Sequence, residues 1–154
     1  MKYFIFFIVS LLFYTCVKDE IILDVQRVVN KTPRQVKQLL GEPDTTYTQM
    51  IVRKPIFTQV YQRKLKIEIM YPEGLSTDVI VYDPAPTIPF SSRSLSRFGL
   101  NNSISPSDSM HNGYLKWKHY PGFKTINLFA TKLDDKGGVN QFRIFFKSDE
   151  NINE

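Results

Sequence analysis

The chain has 154 residues but only one cysteine and two histidines. A single cysteine excludes an internal disulfide and any Cys-based zinc site. His111 and His119 stand eight apart, which is not a ligand spacing on one helix or strand. There is no G-x-S-x-G elbow, no phosphate-cradling glycine loop and no dinucleotide fingerprint, so the commonest hydrolase, nucleotide-binding and oxidoreductase signatures are missing. No apolar run reaches the ~20 residues that span a bilayer as a stable helix. The net charge of +5 is spread along the chain, too weak a field to argue for nucleic acid. The sequence thus calls for no cofactor, no metal and no nucleic-acid partner, and it leans away from catalysis.

What is present is an ordinary globular composition, 42% hydrophobic and 23% charged, long enough for one domain or two small halves sharing a core. The first sixteen residues stand apart. Lys2 is a short positive start, and Tyr3 to Tyr14 form an apolar run broken only by Ser10. That length fits the core of a signal peptide. Acidic residues follow at once, at Asp19 and Glu20, and the boundary falls at Cys16.

Phe13-Tyr14-Thr15-Cys16 resembles a lipoprotein signal peptide, in its looser, Phe-containing Bacteroidetes-type form. In that class the cysteine thiol takes a diacylglycerol and becomes the new N-terminus. Lys18, Asp19 and Glu20 resemble that phylum's lipoprotein export signal, which implies an outer-membrane protein displayed on the cell's outer face. Residues 1–15 are then the signal peptide, and the membrane partner is reached through lipid on Cys16. Two acyl chains would anchor stably, since each buried CH₂ contributes about 0.8 kcal/mol.

Residues 16–30 form the tether, in which Ile21, Ile22, Leu23 and Val25 read as a first strand. Sharper signals begin at Thr32. Thr32 caps, Pro33 suits the first helical position, and Gln35 completes a capping box. Val36, Leu39 and Leu40 make one apolar stripe, with Gly41 and Pro43 ending the helix. Three strands follow, Phe57–Gln62, Leu65–Tyr71 and Thr77–Asp83, the second a clean alternation. Pro84, Pro86 and Pro89 mark a connector. The second half repeats the plan: a short helix near Leu95 and Phe98 ending at Gly99, then strands Tyr114–Tyr120, Phe123–Ala130 and Val139–Lys147. The fold class expected is α+β, short helices packed on antiparallel sheet. The domain covers 31–147, with similar halves at 31–83 and 90–147, and residues 148–154 are a flexible tail.

Residues Asn30 to Pro43, ending Leu39-Leu40-Gly41-Glu42-Pro43, resemble the helix motif of the SmpA/OmlA lipoproteins and of related beta-lactamase-inhibitor-like modules. With the strands after it, the similarity extends loosely to Asp83. The resemblance implies an α+β fold, an envelope location and protein-binding roles, and it carries no catalytic residues across.

Two groups stand out as candidate binding residues. Arg53, Lys54, Arg63, Lys64 and Lys66 form the densest basic stretch. They are either a patch for an anionic partner or the solvent face of strands with lysines guarding an edge. Trp117 and Tyr120 belong to an aromatic-rich hairpin, and alternation assigns Trp117 to the core. The leading expectation is a noncatalytic lipoprotein that binds another envelope protein. A carbohydrate-binding module would need exposed aromatics including Trp117 or Tyr120. A small glycan-directed hydrolase would need two convergent acids.

Overall fold

A computed structural model describes residues 20–76, 78–85, 87–110, 113–133 and 139–148, with backbone alone for 109–110, 131–133 and 139–148. Cys16, Lys18, Asp19, His111 and the 148–154 tail beyond Ser148 lie outside the described residues. The fold is α+β: short helices on one antiparallel sheet of eight strands.

The chain enters with one helical turn, α1 (Val25–Val28), and then α2 (Pro33–Leu40). The stretch expected as a first strand is irregular from Ile21 to Asp24, and its last member, Val25, opens the helical turn instead. Val25 and Val28 share a face at helical spacing and both are buried. The α2 capping box forms as read. The Thr32 side chain accepts from the Gln35 amide at 3.3 Å, and the Gln35 side chain accepts from the Thr32 amide at 2.9 Å. Val36 is fully buried and Leu40 half-buried, whereas Leu39 turns outward.

Strands β1 (Thr45–Ile51), β2 (Lys54–Gln62), β3 (Lys66–Tyr71) and β4 (Asp78–Asp83) form a meander. A 3-10 helix (Ser92–Phe98) precedes the second, β5 (Asp108–Met110), β6 (Tyr114–Tyr120), β7 (Phe123–Leu133) and β8 (Val139–Ser148). Each meander holds one strand more than the sequence pattern showed, at its outer edge. The two join through their last strands, β4 antiparallel to β8, giving the order β1-β2-β3-β4-β8-β7-β6-β5. The order of elements is the same outward from either side of that seam. Helix α2 and the 3-10 helix each end at a glycine with positive φ, Gly41 and Gly99, where a Cβ would be strained.

One hydrophobic cluster lies between the helices and one face of the sheet. Register places Tyr61, Ile67 and Val81 in one cross-strand row and Ile69 and Val79 in the next; Leu128, Ile126 and Trp117 continue the same face in the second half. Trp117 is 1% exposed, as alternation required, and its indole donates to the Ile104 carbonyl at 3.0 Å. The Tyr120 hydroxyl likewise donates to the Asn101 carbonyl at 3.1 Å, so both aromatic rings latch the 101–107 loop. Gln59 is buried beneath α2 with its amide satisfied. Its oxygen accepts from the Tyr61 and Tyr71 hydroxyls, and its NH₂ donates to the Pro33 carbonyl. Asp83, fully buried at the end of β4, accepts from the amides of Ala85, Thr87 and Ile88 and so fixes the connector between the halves.

Candidate protein-binding face

A strand sends alternate side chains to opposite faces, so the residues between the core positions define a second face. On it stand Tyr47, Val60, Glu68, Ile80, Tyr82, Lys116, Asn127 and Phe129. Val60 and Ile80 are nearly buried, yet neither belongs to the hydrophobic cluster under the helices. Both described helices and the 3-10 helix contribute their buried residues to the opposite face.

The open face is aromatic and charged along one cross-strand row. Tyr82 on β4 and Phe129 on β7 flank the same position of β8, and Tyr114 lies opposite Phe129. The Tyr114 and Phe129 rings are 4.9 Å apart, and the Tyr114 hydroxyl bonds Asn127 Oδ1 at 3.1 Å. Lys66 lies 5.0 Å from the centre of the Tyr82 ring and 2.6 Å from Glu68 Oε1. Tyr82 donates to Glu68 Oε2 at 3.2 Å. The hydrogen bond to Glu68 raises the Lys66 pKa above its ordinary value, so this ammonium stays charged. Burial, then the charge of Asp108, raises that of Tyr114. These side chains hold one another in place, and rigid aromatic area with fixed polar groups is what a partner surface uses at low entropic cost.

The same meander ends in an apolar tip. Ile51 pairs with Lys54, leaving Val52 and Arg53 as a two-residue turn with φ of 48° and 64°. Both central residues are left-handed, as the tight hairpin turn requires, but neither is the glycine or asparagine that adopts this easily. Val52 is 91% exposed and Met50 66%. Leu75, also exposed, comes from the neighbouring β3–β4 turn, tied to the hairpin by Lys54 and Glu73 at 3.4 Å. Edge strand β1 itself, Thr45 to Ile51, carries no charge.

The basic stretch is not one patch. Arg53 and Lys54 lie at one end of β2, Arg63 and Lys64 just past its other end, and Lys66 on the open face. Lys54, Arg63, Lys64 and Lys66 each have a carboxylate within 4.0 Å. Nor do these lysines guard an edge, because β2 and β3 are interior strands and the uncharged β1 is the edge. Trp117 and Tyr120 are corrected in the same way: both are buried, and neither offers a surface for a sugar. The sequence pointed to neither the Tyr82–Phe129–Tyr114 row nor the strained tip. The row joins strands distant in the chain, and the tip depends on a register no local pattern fixes. His119 is exposed at an irregularity between β6 and β7, with φ of 54°.

Among the described residues no three His, Cys, Asp or Glu side chains gather as a metal site. None of their helices is long and apolar enough to cross a membrane. No protein family, curated protein or solved structure matches the chain.

Proposed function

We propose that this protein is a noncatalytic envelope lipoprotein, anchored in the outer membrane through lipid on Cys16, that binds another envelope protein through the open face of its sheet. The observation that carries the reading is the sheet face opposite the described helices, against which none of their buried hydrophobic residues packs. Its aromatic row is braced by Lys66–Glu68 and Tyr114–Asn127 contacts. Interface centres favour tyrosine and phenylalanine that are already held in place. The apolar tip, strained at Val52, supports the same reading, because unfavourable backbone conformations are retained where a site uses them.

Site-specific photo-crosslinking in the native envelope tests this. A crosslinker at Tyr47 or Lys118, both exposed on the open face, should give one discrete protein adduct. The same group at Arg34 or Gln38, exposed on α2, should give none. Equal adducts from both sides, or none from the open face, would refute the binding assignment. Metabolic labelling with an alkyne fatty acid tests the anchor separately: the wild type should label and Cys16→Ala should not.

A further inference from the structure

A cleft of about 250 Å³ opens on the helix side of the sheet, where the chain enters the fold. One wall is the segment before α1, held in place because the amides of Ile22 and Leu23 both donate to the Arg97 carbonyl, at 2.8 and 3.4 Å. The other wall is Leu40 at the end of α2, and the floor is sheet, with Ile67 at its centre. Arg63, Lys64 and Arg97 also line the cleft, against one acid, Glu20.

These cations are unequally engaged. Arg63 lies 3.4 Å from Asp44, and Lys64 reaches Glu20 only at 4.0 Å with both side chains largely exposed. Arg97 Nε is buried and has no hydrogen-bond partner among the described residues. The Nε is sealed from solvent, so an anion in the cleft meets Arg97, which is only half-buried, through its outer guanidinium nitrogens. An apolar cavity of about 150 Å³ accommodates benzene. By the same scaling, this cleft has room for roughly ten carbons.

We propose that the cleft binds a medium-chain fatty acid. The alkyl tail packs between Ile22, Leu40 and Ile67, and the carboxylate meets Arg97 with Lys64 beside it. The argument is charge complementarity over an apolar floor, and it is independent of the open face on the other side of the sheet.

Equilibrium binding of radiolabelled decanoate to the full chain in lipid nanodiscs, with empty nanodiscs as blank, tests the proposal. Decanoate should bind one to one, and butyrate and 1-decanol far more weakly. Arg97→Gln should weaken decanoate about tenfold, and Leu40→Trp, which fills the cleft, should abolish the binding. Circular dichroism and thermal melts establish that both variants fold. The proposal is overturned if the full chain binds no decanoate above the blank, if 1-decanol binds as well, or if a folded Arg97→Gln binds unchanged. It is also overturned if decanoate binds only after proteolysis removes the residues before Glu20, because the chain itself would then be the occupant.

Discussion

Asp83 fixes the connector between the two halves through four hydrogen bonds, and removing its carboxylate should be strongly destabilising. Its Oδ2 accepts from the Thr87 amide at 2.6 Å, the Thr87 hydroxyl at 2.9 Å and the Ile88 amide at 2.8 Å; Oδ1 accepts from the Ala85 amide at 3.2 Å. The carboxylate is 0% exposed and Ile88 is 1% exposed, so water cannot replace these bonds without opening the loop. Hydrogen bonds to a charged group contribute about 1.5–3 kcal/mol each, and a buried donor left unmade costs about 1–3. Such terms do not add fully, so Asp83→Ala should lose about 4 kcal/mol. Asp83→Asn, which keeps one acceptor oxygen of the same shape, should lose about 2. Against a typical total of ~5–15 kcal/mol, the alanine variant is near the threshold of folding. Urea unfolding followed by Trp117 fluorescence and far-UV circular dichroism reads both losses. With a slope of about 2 kcal/mol per molar, the alanine midpoint should fall by about 2 M. A loss under about 1 kcal/mol for Asp83→Ala, with unchanged slope, would refute the claim that this cradle holds the connector.

Two further outcomes follow from burial and backbone strain. Burial raises the pKa of Tyr71, Tyr61 and Tyr120 above the ordinary tyrosine value. The unfolded chain therefore ionises first, so stability is full below pH ~10 and falls as the pH rises toward each folded-state pKa, with Tyr71 contributing up to about 1.4 kcal/mol per pH unit. Urea midpoints that stay flat between pH 9 and 11.5 would contradict this, and Tyr71→Phe should make the decline shallower. At the hairpin tip, Val52→Asn should stabilise the protein by about 1 kcal/mol, because asparagine tolerates the left-handed conformation that valine resists. The same variant should reduce the open-face crosslink, whereas a melting point at or below that of the wild type would remove the case for strain there.

Helix α2 and the central strands were legible because their signals are local. Thr32, Pro33, Gln35 and Gly41 specify the start and end of α2 within nine residues, and the alternation in β3 needs only its own neighbours. Acids near element ends serve the backbone in the same local way: Asp44 accepts from the Gln62 amide, and Asp83 from the Ile88 amide. Edge strand β1 was missed because Thr45 to Ile51 has no buried residue and hence no apolar alternation to see. β5 was missed because three residues are too few to show a period. The apolar run from Ile21 to Val25 misled for a related reason. Such a run has strand propensity, but Val25 and Val28 both reach the core only with a helical turn between them. The open face was illegible in principle. Tyr82 and Tyr114 share a row because β4 pairs with β8, a contact between strands some sixty residues apart.

The two ends of the sheet give the proposals a common geometry. Lys64 follows β2 at the end where Glu20 comes within 4.0 Å of it, whereas Val52 and Arg53 precede β2 at the other end. A nine-residue strand spans about 27 Å. Cys16 lies four residues before Glu20, so lipid on Cys16 would hold the Glu20 end close to the bilayer. The apolar tip and Leu75 would then point away from the membrane, and a partner would meet them from the aqueous side. The cleft lined by Arg63, Lys64 and Arg97 sits at the tethered end. With lipid on Cys16, that end would lie at the level of the lipid headgroups, where a fatty acid concentrates with its carboxylate at the interface. Anchoring there would thus separate a membrane-proximal cleft from a membrane-distal tip. The open-face crosslink should survive a loss of decanoate binding, since the sheet lies between the two sites.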